Sequence, residues 1–172
     1  FQGSRGLGDV YKRQHMLLEG SILCGYATGS SNGHIFIRDG HEIPIENSRK
    51  AIEQAYELNL LGDNILGTGF SYHVEVSLTG DSYVAGEETA LMEAIEGKRS
   101  MPRFKPPFPA VSGLWGKPSN INNVKTLSYV PFIVKMEVKA IRISDRKQVQ
   151  ERLLYAFQGT SKGQVCMKLK WE

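Results

Sequence analysis

The residues with the clearest capacity for chemistry are two adjacent acids, Glu87 and Glu88, which directly follow Gly86 in the segment DSYVAGEETAL. The pattern downstream predicts a helix from Glu87 to Ile95, so both acids lie in its first turn. Acidic side chains there stabilise a helix by about 0.3–1 kcal/mol through the helix dipole, which is a sufficient structural explanation. They also suit a ligand site, because glycine admits a flat cofactor to the backbone and the first N–H groups of a helix are donors.

A second candidate is the loop that follows, in which basic and aromatic residues interleave from Gly97 to Pro118. Residues 101–118 contain five of the seven prolines, which predicts an extended, non-repetitive loop. Its rings could stack on a base and its cations could bind phosphates. A solvated loop with inward-packed aromatics fits the same residues. Nucleic-acid binding is a third interpretation, and the modest net charge of +3 argues against it.

A third candidate is the asparagine-rich segment NINNVKT, residues 120–126. It stands at the start of a predicted helix from Asn122 to about Val134, which Pro131 limits or kinks. Asparagines at such a position are ordinary helix caps. They also make a phosphate site, because amide donors, backbone N–H groups and the helix dipole converge there.

Other catalytic signatures are absent from the sequence. The Gly67–Gly69 segment lacks the third glycine of a dinucleotide fingerprint, and a proline interrupts the P-loop pattern in residues 116–119. Cys24 and Cys166 fit no iron–sulfur cluster spacing. No metal site is predicted, because the four histidines have no ligand spacing with cysteines or acids. These histidines are His15, His34, His41 and His73.

The elements that must position these candidates alternate along the chain. Residues 29–33 are predicted to be a turn, and residues 144–157 an amphipathic helix. The other predicted helices cover residues 15–29, 44–61, 87–95 and 122–134. The predicted strands cover residues 34–38, 72–78 and 164–171. This alternation predicts an α/β fold, a Rossmann-like sheet with crossover helices, followed by a short helix–strand tail.

Composition places the chain among ordinary globular proteins. The 172 residues suffice for one domain with a core, and 41% are hydrophobic and 23% charged. No apolar stretch approaches the roughly 20 residues of a membrane span, so we expect a cytoplasmic protein with reduced thiols.

Together, the three candidate segments resemble the flavin- and NADH-binding flavoprotein subunit of respiratory complex I and of related NAD-linked hydrogenases and formate dehydrogenases. The similarity runs from about Met16 to Val134, with the segments in the family's order and spacing. The segments that carry it are YVAGEETAL, EGKR, RFKPPFPA, GLWGKP and NNVKTL. In that family FMN accepts a hydride from NADH and passes electrons singly to iron–sulfur clusters, so the resemblance implies FMN and NAD as cofactors.

The resemblance also assigns roles, position by position. The residues expected to line the flavin are Tyr83, Gly86, Glu87 and Glu88. Glu88 should also face NADH and is the expected catalytic residue. The residues expected to hold the ribityl and phosphate end are Asn122, Asn123 and Thr126. Lys105 and Phe108 should contact the dinucleotide, Phe108 by stacking.

The resemblance divides the chain into three parts. Residues 1–14 look like an expression-tag scar and a sequencing artefact. Residues 15–135 correspond to part of the FMN- and NADH-binding α/β domain, and residues 136–172 to a divergent tail, the truncated start of a β-grasp-like domain. The family's glycine-rich flavin loop lies upstream of the matching region and its cluster-binding cysteines downstream. We therefore expect a fragment that is inactive alone and binds nucleotide weakly.

The expected partners are the iron–sulfur subunits of a larger redox complex, with no nucleic acid and no direct membrane insertion. Such a complex is soluble or peripheral to a membrane in the family. The alternative is a non-catalytic nucleotide-binding or assembly module derived from the same fold. Self-association through uncovered sheet edges and apolar faces is a further hypothesis.

Overall fold

The computed structural model describes residues 14–80, 83–135 and 164–169, excluding the side chains of Thr79, Tyr83 and residues 164–169. Residues 1–13 of the predicted leader and the predicted helix at 144–157 lie outside this range. The helices are α1 (Gln14–Thr28), α2 (Glu42–Glu57), α3 (Glu88–Ile95) and α4 (Val124–Lys135). The strands are β1 (Ser30–Arg38), β2 (His73–Thr79), β3 (Ser119–Asn123) and β4 (Gln164–Leu169).

The four strands form one mixed sheet in the order β2-β1-β4-β3. β1 and β2 are parallel, with α2 in the connection between them, so β1-α2-β2 is a crossover unit. β4 runs antiparallel to both β1 and β3. The predicted α/β class is confirmed, and the strand predicted at the end of the chain lies inside the sheet.

Side chains of the central strand β1 are buried on both faces of the sheet, as its nearly continuous apolar run favours. Ile35 and Ile37 belong to a core formed with α1, α2 and α4. Phe36 points the opposite way, into a smaller core with Leu91 of α3 and Leu114 of the following loop. The smaller core holds the start of α3 and the loop against the sheet.

Glycines allow α1 to approach its neighbours closely. A Cβ on Gly20 would lie 2.0 Å from the carbonyl oxygen of Leu127 in α4, so only glycine permits this crossing. A Cβ on Gly33 would lie 2.3 Å from the hydroxyl of Tyr72, which is fully buried and bonded to Ser21 at 2.8 Å. The position of α4 relative to the sheet therefore depends on α1.

The structure differs from the sequence prediction at three boundaries. β1 begins at Ser30, so the turn predicted over residues 29–33 shrinks to Gly29, whose φ is +69°. α2 ends at Glu57, before the predicted Leu61, because the chain turns at Asn59 with a φ of +53°. Asn122 and Asn123, predicted as the first residues of a helix, belong instead to β3 (Ser119–Asn123), because pairing with β4 satisfies their backbone groups.

Across the part of the chain that the structure describes, no helix is both long and apolar enough to cross a membrane.

Candidate functional site

Glu87 is the N-cap residue of α3. Its carboxylate oxygen Oε2 accepts hydrogen bonds from the backbone N–H groups of Thr89 and Ala90, both at 2.8 Å, and from the Thr89 hydroxyl. Burial alone would raise the pKa of Glu87, but these bonds and one from Lys105 outweigh it and lower the pKa. Glu87 is therefore a charged cap whose second oxygen, Oε1, faces the loop.

Lys105 joins the two acids. Its ammonium donates to Oε1 of Glu87 at 3.4 Å and to Oε1 of Glu88 more closely. The bond to Glu88 raises the pKa of Lys105, so the ammonium is held in its charged form. The structure thus brings together Glu87, Glu88 and Lys105, which were all candidate site residues from the sequence. The three side chains are partly exposed.

A second charge cluster holds the loop on α3. The Arg103 guanidinium donates to Glu96 at 2.7 Å, to the carbonyl of Gly113 at 2.8 Å and to Glu93. Burial alone would raise the pKa of Glu96, but bonds from Lys98, Arg103 and the Trp115 amide lower it to about 2. The loop is therefore anchored at both ends.

Sequence reasoning assigned no role to Arg103, Glu93 or Glu96. A usable signal was present, because Glu93 and Glu96 are three residues apart at the end of one helix and so lie on the same side of it. An arginine in the loop that follows is a suitable partner for that pair.

Three loop aromatics are at least half exposed: Phe104 is 97%, Phe108 58% and Trp115 51% exposed. Of the two open interpretations of this loop, the structure favours aromatics that face outward. Phe108 is one of the residues proposed from the sequence, and its exposed ring is available for stacking on a planar group.

The start of α4 is organised differently. Asn123, the last residue of β3, accepts a hydrogen bond from the Lys125 backbone N–H through Oδ1 at 2.9 Å. Because strand side chains alternate, the neighbouring Asn122 points to the other face of the sheet, with its amide 3.8 Å from the Sγ of Cys24. Burial raises the pKa of the Cys24 thiol. The side chains of Asn122 and Asn123 thus point in opposite directions.

The remaining proposed residues lie close to these two helix starts. Gly86 is exposed, and among the described residues no atom beyond its chain neighbours lies within 4 Å of where a Cβ would stand. Tyr83 begins the short 3-10 turn at Tyr83–Gly86, but its side chain lies outside the described part of the chain. Thr126 is partly buried in the first turn of α4.

The residues present fit FMN and a dinucleotide in chemical type. Carboxylates at α3 accept hydrogen bonds from hydroxyl groups, Lys105 offers a cation, and Phe108 offers an exposed ring. Gly86 leaves room for a flat ring system. In the described ranges, no cluster of three or more His, Cys, Asp or Glu side chains could hold a metal ion.

The chain is similar to proteins of known function over most of the described range. An NADH-quinone oxidoreductase subunit of Aquifex aeolicus is 48% identical over 127 residues, which cover 74% of this chain and 30% of that protein. The corresponding Escherichia coli protein is 44% identical over 141 residues, which cover 81% of this chain and 32% of that protein. An NADP-reducing hydrogenase subunit of Solidesulfovibrio fructosivorans is 44% identical over 120 residues, or 70% of this chain and 24% of that protein.

A solved structure agrees with these similarities. The NAD+-reducing nickel–iron hydrogenase in its H2-reduced state matches with a TM-score of 0.66 and 28% identity, covering 76% of this chain and 22% of that one. The chain therefore spans about a third or less of the length of the relatives it matches.

The family described as the Nuo51 FMN-binding domain matches residues 10–132, a range that includes β1, β2, β3 and both helix starts. This chain belongs to that family.

Proposed function

We propose that this chain forms part of the FMN and NADH site of an NADH dehydrogenase flavoprotein subunit. The observation that carries the proposal is the acid pair Glu87 and Glu88 facing Lys105 at the start of α3, beside the open backbone of Gly86. When bound, FMN supplies the capacity to accept a hydride from NADH and to release electrons singly to iron–sulfur clusters. The protein residues bind and orient the two nucleotides.

The start of α3 would bind the planar and hydroxyl-bearing parts of the ligands. Tyr83 and Gly86 line the flavin ring in this proposal, and Glu87 and Glu88 accept hydrogen bonds. Glu88 is the better placed of the two to contact NADH, because Thr89 and Ala90 already occupy one oxygen of Glu87. The Glu88 carboxylate pairs with Lys105, and an anionic ligand that drew Lys105 away would leave that carboxylate open to NADH.

The start of α4 would bind the phosphate end of FMN. Asn123 and Thr126 stand at its first turn, where the helix dipole favours an anion. Asn122 would act from the opposite face, next to Cys24. Lys105 and Phe108 would meet the dinucleotide, Lys105 through a phosphate and Phe108 by stacking.

Partners follow from the relatives, which are named as subunits of NADH-quinone oxidoreductases and a hydrogenase. We propose that FMN bound between the starts of α3 and α4 delivers electrons to an iron–sulfur subunit. The boundary at residue 135, between the FMN- and NADH-binding domain and the divergent tail, is also part of this proposal.

The test is a titration of the chain with FMN, followed by quenching of flavin fluorescence. The variants are Glu88→Ala and Asn123→Ala, one at each helix start. Glu46→Ala and Asn47→Ala on α2 are matched controls, because they remove the same side chains at positions away from both helix starts. We expect weak but saturable binding that both site variants weaken further and both controls preserve.

Two results would contradict the proposal. One is no saturation up to millimolar FMN by the folded wild-type chain. The other is binding that the α2 controls weaken as much as the site variants do.

A further inference from the structure

We propose that Thr89 and Arg103 are positioning residues that fix the loop on α3 and so place the Lys105 ammonium between Glu87 and Glu88. The inference rests on the proposed function only in taking the position of the Lys105 ammonium to be part of a nucleotide site. Neither residue needs to touch a ligand to have this effect.

The Thr89 hydroxyl connects the two sides of the site. It donates to Oε2 of Glu87 and accepts a hydrogen bond from the backbone N–H of Arg103 at 2.9 Å. Thr89 is 1% exposed, so water does not readily replace either bond. One hydroxyl thus fixes the rotamer of the acid cap and the register of the loop backbone together.

The Arg103 side chain holds the same point of the loop from the other side. Its guanidinium bonds to Glu96, to Glu93 and to the Gly113 carbonyl near the far end of the loop. A planar fork with several donors restricts orientation more than a lysine ammonium does. Arg103 is therefore fixed through both its backbone and its side chain.

Lys105 lies two residues beyond this fixed point. Two residues of chain span at most about 7 Å, so the Lys105 backbone cannot move far from α3 while Arg103 is held. Its ammonium then reaches Oε1 of both acids. A dinucleotide phosphate that binds here would meet a cation whose place is set by Thr89 and Arg103.

A purely structural role for these residues predicts something different. Loss of the Thr89 hydroxyl would then lower stability and change every lysine alike. A positioning role changes the environment of Lys105 specifically, because the ammonium loses part of its contact with the carboxylates and its pKa falls towards the ordinary value.

The test measures acylation of individual lysines in the ligand-free chain by an amine-reactive ester at several pH values, with the modified peptides quantified by mass spectrometry. Thr89→Val removes the hydroxyl at nearly constant volume, and Thr89→Ser keeps it. Thr28→Val is the matched control, since its hydroxyl bonds within α1, to the Cys24 and Gly25 carbonyls. Lys50, on α2, is the internal reference.

We expect Thr89→Val to raise the acylation rate of Lys105 by about threefold or more below its pKa, which corresponds to a pKa fall of about half a unit. Thr89→Ser and Thr28→Val should match the wild-type chain, and Lys50 should react equally in all. Equal rates at Lys105 in Thr89→Val and Thr28→Val, or a Ser variant that behaves like Val, would overturn the proposal.

A second variant, Arg103→Lys, tests the same proposal if Thr89→Val does not fold. Arg103→Lys keeps the backbone N–H bond to Thr89 and the positive charge but loses the forked contacts, so Lys105 should again react faster. Unchanged Lys105 reactivity in the folded variant would count against the inference. Acylation needs no FMN, so failure of FMN binding with altered Lys105 reactivity would reject the proposed function and leave the positioning role standing.

Discussion

The two helix starts that face the proposed ligands are built from opposite chemistry. At α3 the backbone N–H groups are capped by a carboxylate, Glu87, which bonds to Thr89 and Ala90. At α4 the cap is a neutral amide, Asn123, which bonds to Lys125. Both are capped helices, but the first carries negative charge at its start and the second does not.

This difference determines what each helix start can bind. The acids at α3 neutralise the positive end of the helix dipole, so that end suits hydroxyl groups, and an anion bound there would be met by the Lys105 ammonium and not by the dipole. The neutral cap at α4 leaves the dipole uncompensated, so that end suits a phosphate. The two helix starts thus differ in the charge of the cap residue, a carboxylate at Glu87 and a neutral amide at Asn123.

The largest expected effect is a loss of stability when α4, which carries the second helix start, can no longer pack closely on α1. Gly20→Ala would place a Cβ 2.0 Å from the Leu127 carbonyl oxygen and push α4 away from α1. Overpacking of this kind costs about 3 kcal/mol of unfolding free energy, more than the roughly 1 kcal/mol that alanine gains in a helix. Denaturant unfolding measures the difference, with Gly80→Ala as the control because no atom of the described residues beyond its chain neighbours lies within 4 Å of a Cβ there. A similar stability for both variants would show that α4 does not depend on this contact.

The second effect concerns the other end of α3, where Glu96 is the C-cap and binds Arg103 of the loop that carries Lys105. The pKa of Glu96 is lowered from 4.5 to about 2, so its stabilising contribution is present above about pH 4.5 and is lost as the pH falls towards 2. The wild-type chain should lose about 2–3 kcal/mol more than Glu96→Gln between about pH 6 and pH 2.5. Glu46→Gln, an exposed acid paired with Lys50, should follow the wild-type chain. Parallel pH profiles for wild type and Glu96→Gln would refute this role for Glu96.

The smallest effect is expected when the neutral cap of α4 is replaced by a negatively charged one. Asn123→Asp keeps the acceptor for the Lys125 N–H and so preserves α4, but it puts a negative charge where FMN phosphate is proposed to bind. Like-charge repulsion should weaken FMN binding by about tenfold, or about 1.4 kcal/mol, without loss of stability. Asn47→Asp on α2 is the matched control. Unchanged affinity in Asn123→Asp would place the phosphate elsewhere.

The limits of the sequence prediction are clearest at β3. Asn122 and Asn123 carry the polar side chains of a helix cap, and the sequence predicts a helix that begins at Asn122, whereas the helix begins at Val124. Only pairing with β4, more than 40 residues later, makes residues 119–123 a strand. Strand geometry then points the two asparagine side chains in opposite directions, and local propensity does not include a partner so distant in sequence.

The loop after α3 shows the same division. Five prolines are enough to predict that residues 101–118 form neither a long helix nor a strand. They do not predict that Arg103 would bond to three separate acceptors, since these come from α3 and from the far end of the loop. The contact is decided by how the smaller core packs around Leu91 and Leu114.

By itself, the sequence determined the α/β class, most helices and strands, the acid pair after Gly86 and the family to which the chain belongs. These depend on periodicity, capping preferences and ordered motifs, which are local properties of the chain. The tertiary structure decided that Lys105 lies against both acids, that Thr89 and Arg103 hold it there, and that Asn122 and Asn123 diverge. Those contacts join residues far apart along the chain, so they exist only once the cores on both faces of the sheet have formed.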